Sequence, residues 1–162
     1  MNRLPIPLEE RIIFALDLAD PAAALALVDR LSERIRFFKV GLQLFFAGGW
    51  PVVDHIVGRG CQVMLDLKLH DIPATVRLAV QQFAGRGITF ATVHGYPPVV
   101  EAALAADTGV GILAVTVLTS FGPGQAAELG CAGPVEDLVL QRAEGALRLG
   151  AHGVVCSAGE AQ

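Results

Sequence analysis

Residues 61–73, Cys61-Gln62-Val63-Met64-Leu65-Asp66-Leu67-Lys68-Leu69-His70-Asp71-Ile72-Pro73, begin as an apolar run and end in a cluster of charge. The first part, CQVML, reads as a strand buried on both faces, and the strand is expected to continue through DLKL. Asp66 and Lys68 stand at i and i+2, so on a regular strand their side chains share one face. Asp71 then stands at the entry to a helix over Ile72 to Gly85, where it is expected to act as the cap. Charge therefore collects at the C-terminal end of a buried strand.

The same arrangement recurs along the chain. Ile12 to Leu18 (IIFALDL) reads as a strand and carries Asp17 near its end. A helix follows, with Asp20 as its N-cap and Pro21 at its first position. Phe37 to Gly41 (FFKVG) is a strand with Lys39. The next helix breaks near Gly48-Gly49 and resumes after Pro51. GITFATVHG is a strand ending at His94, followed by a helix over Pro98 to Ala106. VGILAVTVLTS is a strand ending in Thr119 and Ser120. A helix over Pro134 to Leu149 and a last strand, HGVVCS, complete the pattern.

Strand and helix alternate, which means parallel strands joined by right-handed crossovers. An open doubly wound sheet would concentrate its functional residues at one switch point. Polar residues at the end of strand after strand favour a (β/α)8 barrel. The expectation is an α/β chain, a single partial TIM barrel over residues 1–162, with about the first six strands and five helices present. A full barrel of this type needs about 250 residues.

Composition narrows the function classes. Of the 162 residues, 53% are hydrophobic and 17% charged, and the net charge is −4. No Lys/Arg block suggests nucleic acid as a partner. The longest apolar stretch, VGILAVTVL, is shorter than the roughly 20 residues that span a bilayer, so no membrane is expected. The N-terminus lacks the layout of a signal peptide. Cys61, Cys131 and Cys156 are odd in number and widely spaced, which fits reduced thiols in the cytoplasm. His55, His70, His94 and His152 have no metal-ligand spacing, so no metal is expected. Gly109 to Ala114 matches a dinucleotide fingerprint in letters only, because it opens a strand where the fingerprint needs a helix.

Lys39 ends a strand neighbouring Asp66 and Lys68 and can reach the same pocket. An alternating Lys39, Asp66, Lys68, Asp71 array keeps lysines protonated and carboxylates ionised. It suits a reaction in which a carbanion forms beside an anion and is then protonated. Spacing alone also allows a plain Asp66–Lys68 ion pair with Asp71 as an ordinary cap. Thr119 and Ser120, before Phe121-Gly122-Pro123-Gly124, fit a substrate contact or ordinary turn chemistry equally well.

Asp66, Lys68, Asp71, Ile72, Pro73 and Thr75 together resemble the D-x-K-x-x-D-I-P-N-T signature of the orotidine 5'-phosphate decarboxylases. FALDL with Asp17, FFKVG with Lys39, TVHGYP with His94, ILAVTVLTS with Thr119 and Ser120, and GVVCS occur in the order of that family. The resemblance implies a (β/α)8 carboxy-lyase that forms UMP in pyrimidine biosynthesis without cofactor or metal. By family role, Asp66 lies against the substrate carboxylate and Lys68 protonates the carbon that loses CO2. Lys39 completes the array and, with Asp17, contacts the ribose. Asp71, Ile72 and Thr75 serve the neighbouring subunit's site, which implies a homodimer with shared sites. Ser120, beside Thr119, reads the pyrimidine edge. Ala74 stands where the family has Asn. The family's phosphate-gripping loop and its Arg follow strands seven and eight, beyond Gln162. Two other readings stay open. One is a non-catalytic fragment or weak nucleotide-binding remnant. The other is a magnesium-dependent sugar-phosphate decarboxylase or aldolase of the same superfamily, although such relatives lack the I-P ending.

Overall fold

The computed structural model describes residues 6–118 and 133–160. Thr119, Ser120 and Cys131 lie outside the described residues. Six strands and five α-helices alternate within them. The strands are β1 (Phe14–Ala15), β2 (Phe37–Gly41), β3 (Gln62–Leu69), β4 (Ile88–His94), β5 (Gly111–Val115) and β6 (Gly153–Val155). The helices are α1 (Pro21–Leu31), α2 (Leu42–Gly58), α3 (Pro73–Gln81), α4 (Pro97–Leu104) and α5 (Val135–Leu149).

The chain forms two compact units, and the division falls between Leu67 and Lys68. The first holds the chain through Leu67 together with Gly85–Phe90, and the second holds Lys68–Ala84 and the chain from Ala91 onward. In the first unit β1, β2, β3 and the start of β4 follow one another in chain order; in the second the end of β3, β4, β5 and β6 do the same. Pairing is parallel, with Ala15 opposite Lys39, Gly41 opposite Asp66 and Val115 opposite Val155. A doubly wound sheet reverses its strand order at a switch point, and no reversal occurs here. The architecture is that of the leading six strands of a (β/α)8-type barrel, as the sequence leads one to expect.

Local chemistry explains most element boundaries. Asp20 caps α1: its carboxylate accepts from Ala22 N at 3.0 Å and Ala23 N at 3.3 Å. Pro21 fills the first helical position, where no N–H is needed. Within α2, Gly49 adopts φ 57°, ψ −148°, so the helix kinks just before Pro51. Strand β2 buries Phe37, Phe38 and Val40, and β3 buries Val63, Met64 and Leu65. Consecutive buried residues mean both faces of these strands are covered, the signature of a parallel sheet under helices.

Strand β5 and helix α3 end earlier than expected, at Val115 and Gln81, and two further expectations change. β1 is far shorter than Ile12–Leu18, because Ile12 and Ile13 are exposed and only Phe14 and Ala15 pair with β2. Asp71 does not cap α3. The N-cap is Ile72, and Asp71 Oδ1 instead accepts the Ile72 N–H at 2.7 Å, one residue too early to serve the helix.

Candidate functional site

In the first unit, alternation along β2 buries Phe38 and Val40 and leaves Lys39 half-buried between them. Its ammonium meets two carboxylates: Asp17 Oδ1 at 3.2 Å and Asp66 Oδ2 at 3.5 Å. The two carboxylates differ in setting, since the Asp17 side chain is 70% exposed and that of Asp66 only 9%. A carboxylate buried to that degree requires a cation or hydrogen-bond donors, and Lys39 supplies a cation. Gly41 lies directly beside the group: a Cβ there would stand in ordinary contact with Lys39 Nζ, at 3.6 Å. Asp17, Lys39 and Asp66, three of the residues singled out in the sequence, are thus brought together.

The second unit begins with Lys68, whose φ is +48°. A left-handed backbone at a non-glycine residue costs about 1–3 kcal/mol and persists only where its surroundings impose it. The Lys68 N–H donates to Thr92 Oγ1 at 2.9 Å, and Thr92 is fully buried in β4. The positive φ also means that regular strand alternation does not set the direction of the Lys68 side chain. Asp71, Ile72 and Thr75 are all exposed, Ile72 by 66%.

Four residues that the sequence did not mark as site residues form a ring assembly in this unit. His70 stacks on Tyr96 at 4.7 Å between ring centroids with a 6° interplanar angle, and lies 4.9 Å from His94. The Arg142 guanidinium sits 4.5 Å from the Tyr96 ring centroid. It also donates from Nη1 to the Thr116 carbonyl at 2.7 Å. Burial, followed by the positive neighbourhood of His70, Arg142 and Lys68, holds the His94 pKa below the ordinary histidine value. A groove of about 270 Å³, lined by Tyr96, Leu138, Gln141, Arg142 and Arg148 among others, runs beside the assembly. One signal points to Arg142 once the buried residues of its helix are known. It lies three residues after buried Val139 and four before buried Ala146, so a charge sits on the buried stripe of α5.

Other polar groups have structural partners. His55 Nε2 lies 2.8 Å from Asp29 Oδ1, and Arg59 contacts the same carboxylate. His152 Nδ1 accepts the Ile112 N–H at 3.1 Å. Among the described residues no group of three His, Cys, Asp or Glu side chains could hold a metal, and no helix is long and apolar enough to cross a membrane.

Known proteins resemble this chain along most of its length. The family model described as orotidine 5'-phosphate decarboxylase / HUMPS family matches residues 10–162. An orotidine 5'-phosphate decarboxylase of Methylobacterium radiotolerans is 48% identical over 153 residues, covering 94% of this chain and 66% of that protein. One of Methylococcus capsulatus is 46% identical over 158 residues, covering 97% of this chain and 65% of the relative. The chain thus spans just under two thirds of the length of these curated relatives. Among solved structures, the orotidine 5'-phosphate decarboxylase of Lactobacillus acidophilus superposes with a TM-score of 0.83 at 35% identity, covering 91% of this chain and 71% of that one. An uncharacterized conserved protein of Geobacillus kaustophilus gives a TM-score of 0.86 at 34% identity, over 92% of this chain and 74% of that one. The chain belongs to the orotidine 5'-phosphate decarboxylase / HUMPS family.

Proposed function

We propose that this chain decarboxylates orotidine 5'-phosphate to UMP, with Lys39, Asp66, Lys68 and Asp71 as its charge array. The observation that carries the reading is the shared ammonium of Lys39, which pairs with exposed Asp17 and buried Asp66. Asp66, held ionised beside a cation, presents a fixed negative charge to the substrate carboxylate. As the carbon–carbon bond breaks, CO2 leaves and the electron pair stays on the ring carbon. The Lys68 ammonium then delivers a proton to that carbon and becomes a neutral amine, which solvent reprotonates. Charges fixed before the substrate arrives need little reorganisation as the carbanion develops. The atoms balance without a cofactor or metal.

Asp17 and Lys39 contact the ribose in this reading, Ser120 reads the pyrimidine edge, and Thr119 beside it also contacts the substrate. Asp71, Ile72 and Thr75 act in the site of a second copy of the chain, so the working form is a cytoplasmic homodimer. Their exposure supports this, because side chains that complete a neighbour's site must project from their own unit.

The test is turnover of orotidine 5'-phosphate by the chain in the presence of a metal chelator. UMP and CO2 are expected in equal amounts. UMP binding without turnover would overturn the catalytic reading in favour of a nucleotide-binding chain. Magnesium-dependent action on a sugar phosphate would overturn the choice of substrate.

A further inference from the structure

We propose that Arg142 and Tyr96 are positioning residues, whose stack onto His70 holds the turn after Lys68 and keeps Lys68 in its left-handed backbone conformation. The inference deepens the reading of Lys68 as proton donor and rests on it for its catalytic consequence.

A non-glycine residue at φ +48° does not stay there by its own preference. It must be held on both sides. Before the side chain of Lys68, the hold is its own N–H on the hydroxyl of buried Thr92. After it, the chain reaches His70, which is exposed and could move freely if nothing packed on it. His70 instead lies parallel to Tyr96 at 4.7 Å. Tyr96 is itself 37% exposed and needs support, which the Arg142 guanidinium gives at 4.5 Å. Arg142 is fixed at its far end by the carbonyl of Thr116 at 2.7 Å. Thr116 is fully buried and bonded through both its N–H and its hydroxyl to the Val155 carbonyl, each at 3.2 Å. A continuous set of contacts therefore runs from the ends of β5 and β6 to the turn that follows Lys68. Arginine suits this place because a planar guanidinium can donate to a carbonyl in its plane and stack through its face, which an ammonium cannot.

Two readouts test the idea, and one needs no activity. A residue with positive φ gives a strong intraresidue amide–Hα cross-peak in NMR spectra. The Lys68 cross-peak is expected to weaken in Arg142→Met and in Tyr96→Leu. In turnover of orotidine 5'-phosphate, both variants are expected to lose about ten- to a hundredfold in kcat, the scale of a misplaced catalytic group, with KM within about twofold. Arg142→Lys should recover part of the loss, and Arg148→Met, six residues further along α5, should change neither readout. If Arg142→Met does not fold by circular dichroism, Tyr96→Leu and Arg142→Lys decide. An unchanged Lys68 cross-peak in the folded variants overturns the proposal. A weakened cross-peak in a chain that never turns over the nucleotide would leave the clamp standing and overturn the decarboxylase reading instead.

Discussion

The group around Lys39 and the assembly around Tyr96 are built on different physics. In the first unit one ammonium holds two carboxylates at 3.2 and 3.5 Å. In the second, a phenol ring packs against an imidazole at 4.7 Å and a guanidinium at 4.5 Å, and a second imidazole lies 4.9 Å from the first. The charged group is chemistry that announces itself in sequence, because a lysine and an aspartate on buried strands need partners. The ring assembly is made of residues that look ordinary until the fold brings them together. If the account is right, damage to the first should change charge balance, and damage to the second should change geometry.

The largest expected effect on stability lies in the second unit. A Cβ on Gly95 would stand 2.9 Å from the Val115 carbonyl oxygen, which also accepts the Gly95 N–H at 2.8 Å. Neither group can yield without losing that bond, so Gly95→Ala should cost about 2–3 kcal/mol by urea denaturation. A cost near zero would mean the ring assembly stands on a looser strand end than described.

Next comes Lys39→Met, which leaves Asp66 without one of its charge partners. Removing one member of a fully buried pair costs about 3–5 kcal/mol. Lys39 is 23% exposed, so water offsets part of the loss and about 2 kcal/mol is expected. Asp17→Ala, at the 70% exposed end of the same group, should cost less than about 0.5 kcal/mol. Equal effects from the two variants would contradict the assigned difference in burial.

Arg142→Met should cost about 1 kcal/mol, the combined scale of a half-exposed cation–π contact and one hydrogen bond. The effect on Lys68 is thus larger in catalysis than in stability, which is what separates positioning from simple support.

The smallest effect is a pH dependence. The folded pKa of His94 lies below its ordinary value, chiefly through burial and then through His70, Arg142 and Lys68. As pH falls below about 6.5, the unfolded chain takes up this proton before the folded one does. Stability is therefore fully present above that pH and declines as pH falls towards the lowered folded value. His94→Gln should flatten this acid limb in denaturation midpoints measured between pH 7 and pH 5. A steeper limb would place the shift in the other direction.

Much of the fold was legible in particular residues. Asp20 before Pro21 marks the start of α1, and Gly48-Gly49 before Pro51 marks the kink of α2, because each has few conformational alternatives. The strands β2 and β3 were legible as short, mainly apolar runs in which single charges stand out. What failed has physical reasons. Ile12 and Ile13 are apolar enough for a strand but have no pairing partner, and hydropathy does not report pairing. Asp71 looked like a cap, yet its carboxylate is taken by the adjacent Ile72 N–H. The left-handed backbone at Lys68 has no sequence signal, since the residue that normally marks such a φ is glycine. For the charged group, Lys39 and Asp66 were legible because charge on a buried strand demands a partner, whereas exposed Asp17 was marked only by its place just past a strand. Arg142 was not, because 46 residues separate it from Tyr96 and its helix reads as a solvated surface unless its buried stripe is already known.

The measurement that bears most directly on the account is the rate of CO2 release from carboxyl-labelled orotidine 5'-phosphate, compared between the chain and its Lys68→Ala variant. Turnover by the chain is expected, with a loss of about 10²- to 10⁴-fold in the variant, the scale of a missing general acid. Full activity in Lys68→Ala would contradict it.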